Sequence, residues 1–292
     1  VLGVALQSIA SHPQPEVYEQ ILELMSAFKT APAALIEALG GIKDARAVPY
    51  LAEALKQSQN MSVQLKIIFA LEKIGGAEAS AALLKQLKET PNTLLAQQLI
   101  GVAARMNLSG AEDVLIGLAE DVTAPLPVRI QCLWSMGKFR SEAIRASLKR
   151  MEARRDFYFG ALDATDAAAG TFEKIEQAAM LIQMALLQQG DGRAADEAAK
   201  LYVKGTPTTK LSMLMLLAEL KRDHAVIGEG LRSPDFAVML SAVHAASAAA
   251  PKKYHDALLA LQNTPFVKAM TETALDLNEI DEVLEAAIAA GK

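Results

Sequence analysis

One cysteine, Cys132, stands in a chain of 292 residues. No disulfide framework can form within the chain, which excludes the small stapled modules of secreted proteins. Aromatic residues make up 5% and include a single tryptophan. β-Branched residues are also sparse, which argues against a β-sandwich. Charge of one sign is not in excess: the net charge is -5 and the isoelectric point about 5.5. That balance lacks the basic surplus expected of a nucleic-acid binder, so no nucleic-acid partner is expected. No apolar run reaches the roughly 18 residues needed to span a bilayer, so no transmembrane segment is expected in this chain. The four histidines, His12, His224, His244 and His255, never fall at i, i+4 of one another. None has a cysteine or clustered carboxylates at metal-ligand spacing. No metal, cofactor or catalytic constellation is therefore expected.

What is present is alanine, nearly a fifth of the chain, and leucine in abundance. With 52% hydrophobic residues and little net charge, the chain is not disordered. Helix formers dominate, and an all-α fold follows.

The helices repeat. Ala38-Leu39-Gly40-Gly41-Ile42 is matched by Ala70-Leu71-Glu72-Lys73-Ile74 about 32 residues later. Ala47 to Leu55, Ala79 to Leu87 and Ala111 to Ala119 align at the same step. The partner segments Val63 to Ile74, Leu95 to Met106 and Val128 to Phe139 recur with them. Within each unit apolar residues return at i, i+3, i+4 and i+7, one face of a helix. Breakers mark the turns: Gly40-Gly41, Gly75-Gly76, Thr90-Pro91-Asn92, Ser109-Gly110 and Pro125-Leu126-Pro127. Two short helices stacked on both sides need small residues where they cross, which explains the alanines.

Ala-Leu-x-x-Ile-Gly ending the second helix, Ala-Val-Pro-x-Leu in the first, and Val128-Arg129 entering the second resemble the HEAT-repeat family. The likeness is to the short bacterial type also found in bilin lyases. It covers Ala31 to about Phe139 well and Val1 to Thr30 less well. The resemblance implies an α-solenoid of stacked antiparallel helix pairs in a right-handed superhelix, with second helices lining the concave surface.

Residues 1–155 carry the regular repeats and residues 156–292 degenerate ones, with helices expected at Phe172–Gln188, Ala194–Val203, Thr208–Lys221, Ala225–Leu231, Pro234–Ala249, Lys253–Leu261, Pro265–Leu277 and Glu279–Ala289. The least patterned stretch, 161–171, is the expected joint in one continuous solenoid over residues 1–292. Ala5 to Ala10 aligns with Ala70 to Gly75, so the chain opens partway through a second helix. A native start upstream is the expectation. The compartment is read as cytoplasmic, with the periplasm as the alternative that the apolar opening raises.

Candidate partner-binding residues follow from the repeat register. Gln64, Lys66, Gln97, Gln98, Arg129 and Gln131 occupy polar positions of second helices. Lys73, Arg105 and Lys138 form a ladder near the ends of successive second helices, extended by Arg140. Its simpler explanation is cations complementing the helix dipole. The richer one is a basic stripe running into the cluster Lys138 to Arg155. Up to Arg155 the chain has 17 basic and 15 acidic residues, and from Asp156 onward 12 and 19. Phe69, Gly101 and Trp134 share one register position, expected in the core. Cys132 aligns with Ile67 and Leu99 and is expected to be a buried packing thiol.

These readings favour a non-enzymatic scaffold that holds a protein or peptide partner, acidic in character, in the groove. The alternatives are a HEAT-like enzyme (bilin-lyase-like or, less well supported, DNA-glycosylase-like) and the solenoid part of a larger exported or membrane-associated protein.

Overall fold

The computed structural model describes residues 8, 12, 16, 18–27, 32–160, 171–264, 267 and 278–291. The expected joint at 161–171 lies outside them except for Thr171, as does the expected helix Pro265–Leu277 except for Val267. The chain divides into two compact units, Val1–Ser147 and Leu148–Lys292. Among the described residues both are helical, with no strand.

In the first unit the helices are α1 (Tyr18–Ala27), α2 (Ala33–Ile42), α3 (Val48–Gln57), α4 (Met61–Ile74), α5 (Gly76–Glu89), α6 (Thr93–Met106), α7 (Ala111–Glu120) and α8 (Leu126–Met136). Helix α9 (Glu142–Ala153) runs across the division. The second unit continues with a π turn (Asp156–Gly160), α10 (Thr171–Gln188), α11 (Ala194–Lys204), α12 (Pro207–Glu219), α13 (Ala225–Gly230), α14 (Phe236–Ala249), α15 (Pro251–Gln262) and α16 (Asn278–Ala290).

Each unit is a stack of helix pairs. In the first, α2, α4, α6 and α8 pack successively as one layer, and α3, α5 and α7 pair with them from the other side. In the second, α10, α12, α14 and α16 form the continuous layer, with α11, α13 and α15 as partners. The architecture is an all-α solenoid of helix pairs.

Local chemistry starts the helices where the breakers predicted. Asn60 accepts the Ser62 and Val63 amides at 2.9 and 3.3 Å and opens α4. Asn92 accepts the Leu95 amide at 3.0 Å and opens α6. Asp235 does the same for α14 through Val238, so that helix begins at Phe236 rather than at Pro234. Each such cap satisfies an amide that the helix cannot pair internally.

Gly40-Gly41 is a difference from the sequence reading. It does not end its helix; α2 runs on to Ile42 and stops at Lys43, whose φ of 60° is left-handed. Gly40 instead faces α4, where a Cβ would come within 2.8 Å of the Ala70 Cα. The same device recurs in the second unit: a Cβ on Gly230 would meet the Ala242 Cβ at 2.7 Å. Both glycines permit helix axes closer than any side chain would.

A second regularity ties each repeat to the next. Lys66 pairs with Glu37, 29 residues back, and Arg105 with Glu72, 33 back. In the second unit Gln183 bonds Glu152 at a separation of 31, Arg222 the Gly192 carbonyl at 30, and Tyr254 the Asp223 carboxylate at 31. The repeat period therefore persists where the sequence motif has faded.

Gly40→Ala tests the close crossing. In an open helix this change stabilises by about 1 kcal/mol through propensity. Here the new methyl meets backbone, and overpacking of that kind costs about 1–3 kcal/mol. Thermal unfolding should show a lower Tm for Gly40→Ala; an unchanged or higher Tm would mean the crossing can open without cost.

Candidate interaction surface

Second helices bury one side and expose another. On α6 the outward stripe is Leu94, Gln98, Gly101 and Arg105, at i, i+4, i+7 and i+11. One repeat earlier the same stripe on α4 is Ser62, Lys66, Phe69 and Lys73. One repeat later on α8 it is Pro127, Gln131 and Trp134, with Lys138 just past the helix end.

The structure places Phe69 and Trp134 outside the core expected for them. Phe69 is 43% exposed and Trp134 44% exposed. The reason is register: the buried faces of α4 and α8 are already filled by Ile67, Ile68 and Leu71, and by Val128, Cys132 and Leu133. A residue two or three positions away must then look outward. Leu94, at 52% exposure, joins them. The sequence signal for all three was the polar spacing itself, since Ser62, Lys66 and Lys73 bracket Phe69 at helical intervals.

Gly101 sits between the two aromatics and leaves a shallow floor. A Cβ there would stand 3.5 Å from an Arg105 terminal nitrogen and 4.0 Å from the Gln131 amide nitrogen. Arg105 thus lies over Gly101, and its guanidinium donates to both carboxylate oxygens of Glu72 at 2.7 and 2.9 Å. That bidentate bond raises the Arg105 pKa further above its ordinary value.

The cation ladder is accordingly divided. Arg105 is neutralised by Glu72, and Lys66 by Glu37. Lys73, Lys138 and Arg140 are exposed, and none makes an ion pair among the described residues. The wider cluster to Arg155 is not one free basic stripe. Arg145 pairs with Glu142 at 3.2 Å, Lys149 with Asp191 at 3.2 Å, and Arg154 stacks 4.7 Å from the Phe157 ring centroid. Burial opposes ionisation of Asp191, yet the bond from Lys149 holds its carboxyl below the usual range.

The glutamines serve different ends. Gln64 donates to the Ser58 carbonyl at 2.9 Å, bracing the turn into α4. Gln97 donates to the Pro127 carbonyl at 3.1 Å and links α6 to α8. Gln98 is exposed and Gln131 half-buried. Arg129 corrects its expectation as a surface contact. It is 3% exposed and donates from Nε to the Ala119 carbonyl at 3.2 Å. It satisfies the end of α7 from inside the fold.

Among the histidines, His224 caps α13 through Val226 at 3.3 Å and His244 is exposed on α14. Among the described residues no cluster of three His, Cys, Asp or Glu side chains could hold a metal ion. No described helix is long and apolar enough to cross a membrane.

Comparison with known proteins now bears on this arrangement. Residues 16–100 match the family model for HEAT repeats. That segment carries HEAT repeats. The matched segment holds the helices that carry Phe69 and Lys73; Arg105, Lys138 and Trp134 lie beyond it. No curated protein matches the chain. Among solved structures, human deoxyhypusine hydroxylase in complex with glycerol aligns at a TM-score of 0.38 and 16% identity, over 87% of this chain and 98% of that one. An engineered protein aligns at 0.38 and 17% identity, over 98% and 83%. Neither likeness carries an activity to this chain.

Cys132 lies beneath the surface just described. Burial pushes its thiol up to about 12, against a small opposing effect of Arg129. The thiolate is the reactive form, so Cys132 should resist alkylation in the native protein near pH 8 and react fully in denaturant. Mass spectrometry after iodoacetamide treatment checks this; rapid native labelling would show that the α8 packing is open.

Proposed function

We propose that this HEAT-repeat chain is a non-enzymatic scaffold that binds a protein or peptide partner on the outward stripes of α4, α6 and α8. The observation that carries the reading is the exposure of Phe69 and Trp134 at one register position, two repeats apart, with a glycine between them. Exposed aromatics are costly to leave in water and are the residue types that anchor interfaces. Helix packing distances of about 8–10 Å put the two rings on the order of 20 Å apart. About six residues of extended chain bridge that span.

Lys73 and Lys138 supply the charge preference. Both stand one turn beyond the aromatics, and neither is neutralised by a carboxylate one repeat back, as Arg105 is by Glu72. A partner with apolar side chains at both ends and acidic residues along one edge complements that pattern. The Arg105–Glu72 and Lys66–Glu37 pairs hold the surface in place before the partner arrives, which lowers the ordering cost of binding.

Selection of binding peptides from a random library displayed against the full chain tests this. Selected peptides should combine apolar anchors with acidic residues. Trp134→Ala and Phe69→Ala should each weaken binding about 30-fold or more, the range of a central aromatic anchor. Lys73→Glu and Lys138→Glu should slow association and flatten its salt dependence. Peptides that ignore all four changes and respond instead to substitutions on α3 and α5 would overturn the proposal.

A further inference from the structure

The second unit contains a cleft that no part of the scaffold reading uses. It has a volume of about 620 Å³ and lies between the last turn of α9, the π turn, α10 and α11. Six charged side chains line it, three acidic (Glu152, Asp156, Glu197) and three basic (Arg154, Arg155, Lys200). A smaller hollow of about 350 Å³ shares Glu152, Gln183 and Glu197 with it.

Gln183 is the feature that sets this cleft apart from a surface groove. It is 7% exposed, yet it lines both hollows. Its Nε2 donates to Glu152 Oε1 at 2.7 Å, which fixes the orientation of the amide, since the flipped form would set two acceptors against each other. The other end, Oε1, is buried and accepts no hydrogen bond. A buried acceptor without a donor is costly, and native proteins seldom leave one without a use. Beside it stands the Glu152 carboxylate, with one oxygen taken by the amide. The floor therefore offers two adjacent acceptors and calls for a donor group.

The rim has the opposite character. Lys200 bonds Glu197 at 2.7 Å, and Arg154 stacks on exposed Phe157. Arg155, next along the chain, is exposed at the same mouth. Equal numbers of acidic and basic groups disfavour a ligand of high net charge. They suit a molecule with a cationic donor at one end and an anionic group at the other.

We propose that this cleft binds a small zwitterion of the free amino-acid class, its ammonium group on Gln183 Oε1 and Glu152 and its carboxylate toward Arg154 and Arg155. The ammonium supplies the donors the floor lacks, and two charge-assisted bonds to acceptors in a partly buried site are strong enough to orient it. The guanidinium pair at the mouth takes the carboxylate without disturbing the Lys200–Glu197 bond.

Calorimetric titration of the full chain with individual free α-amino acids tests the assignment. At least one should bind saturably. Gln183→Leu should weaken that binding about tenfold or more, the loss expected when a charge-assisted hydrogen bond is left unmade. Glu152→Gln, at a more exposed position, serves the same purpose if the Gln183 variant does not fold. Arg155→Ala should weaken the amino acid but not its decarboxylated amine. Failure of every amino acid to bind would overturn the proposal. So would binding that both floor variants leave unchanged, or an amine that binds as tightly as its parent amino acid.

Discussion

The close crossing of successive second helices is the constraint on which the rest depends. Gly40 on α2 approaches Ala70 on α4 so nearly that no Cβ fits at the glycine. In the second unit Gly230 on α13 meets Ala242 on α14 as closely, there within a helix pair. A crossing that tight fixes the rotation of each helix about its axis, because only the small residue can occupy it. Once rotation is fixed, the sorting of side chains into buried and exposed follows residue by residue. Ile67, Ile68 and Leu71 go inward, and Phe69 goes outward.

Polar links then hold neighbouring repeats at their spacing. Glu37 with Lys66, Glu72 with Arg105, Glu152 with Gln183 and Asp223 with Tyr254 all join residues about one repeat apart. The half-exposed ion pairs among them contribute about 0.2–1 kcal/mol each, too little to define the fold. Their larger effect is on the surface. By neutralising Arg105 and Lys66 they leave Lys73 and Lys138 as the cations the α4–α8 face can offer. In the second unit the same kind of link leaves the Gln183 carbonyl oxygen without a donor. One structural habit thus shapes both surfaces.

Much of the fold was legible in the sequence, for a physical reason. Helical periodicity and breaker residues are local signals, and Asn60, Asn92 and Pro127 start helices as their chemistry dictates. The extent of α2 was not legible, because Gly40 reads as a breaker until its contact with Ala70 is known. The site was harder. Lys66, Lys73, Arg105 and Lys138 were found by register, but their partners lie one repeat away, so which cations are neutralised could not be read. Phe69 and Trp134 were assigned to the core because aromatic residues usually are. Their polar neighbours at i−3 (Lys66, Gln131) and i+4 (Lys73, Lys138) were the better guide. Arg129 erred the other way: its polarity suggested a surface, whereas it serves the carbonyl end of α7.

The central claim is that register turns the outer stripe of the second helices, aromatic side chains included, toward solvent. Trp134 is the single tryptophan, so its fluorescence reports that face without ambiguity. Acrylamide quenching of the native protein measures it directly. The account predicts red-shifted emission and strong quenching, approaching that of the unfolded chain. Blue-shifted emission that acrylamide barely quenches until the protein unfolds would place Trp134 in the core and contradict the account.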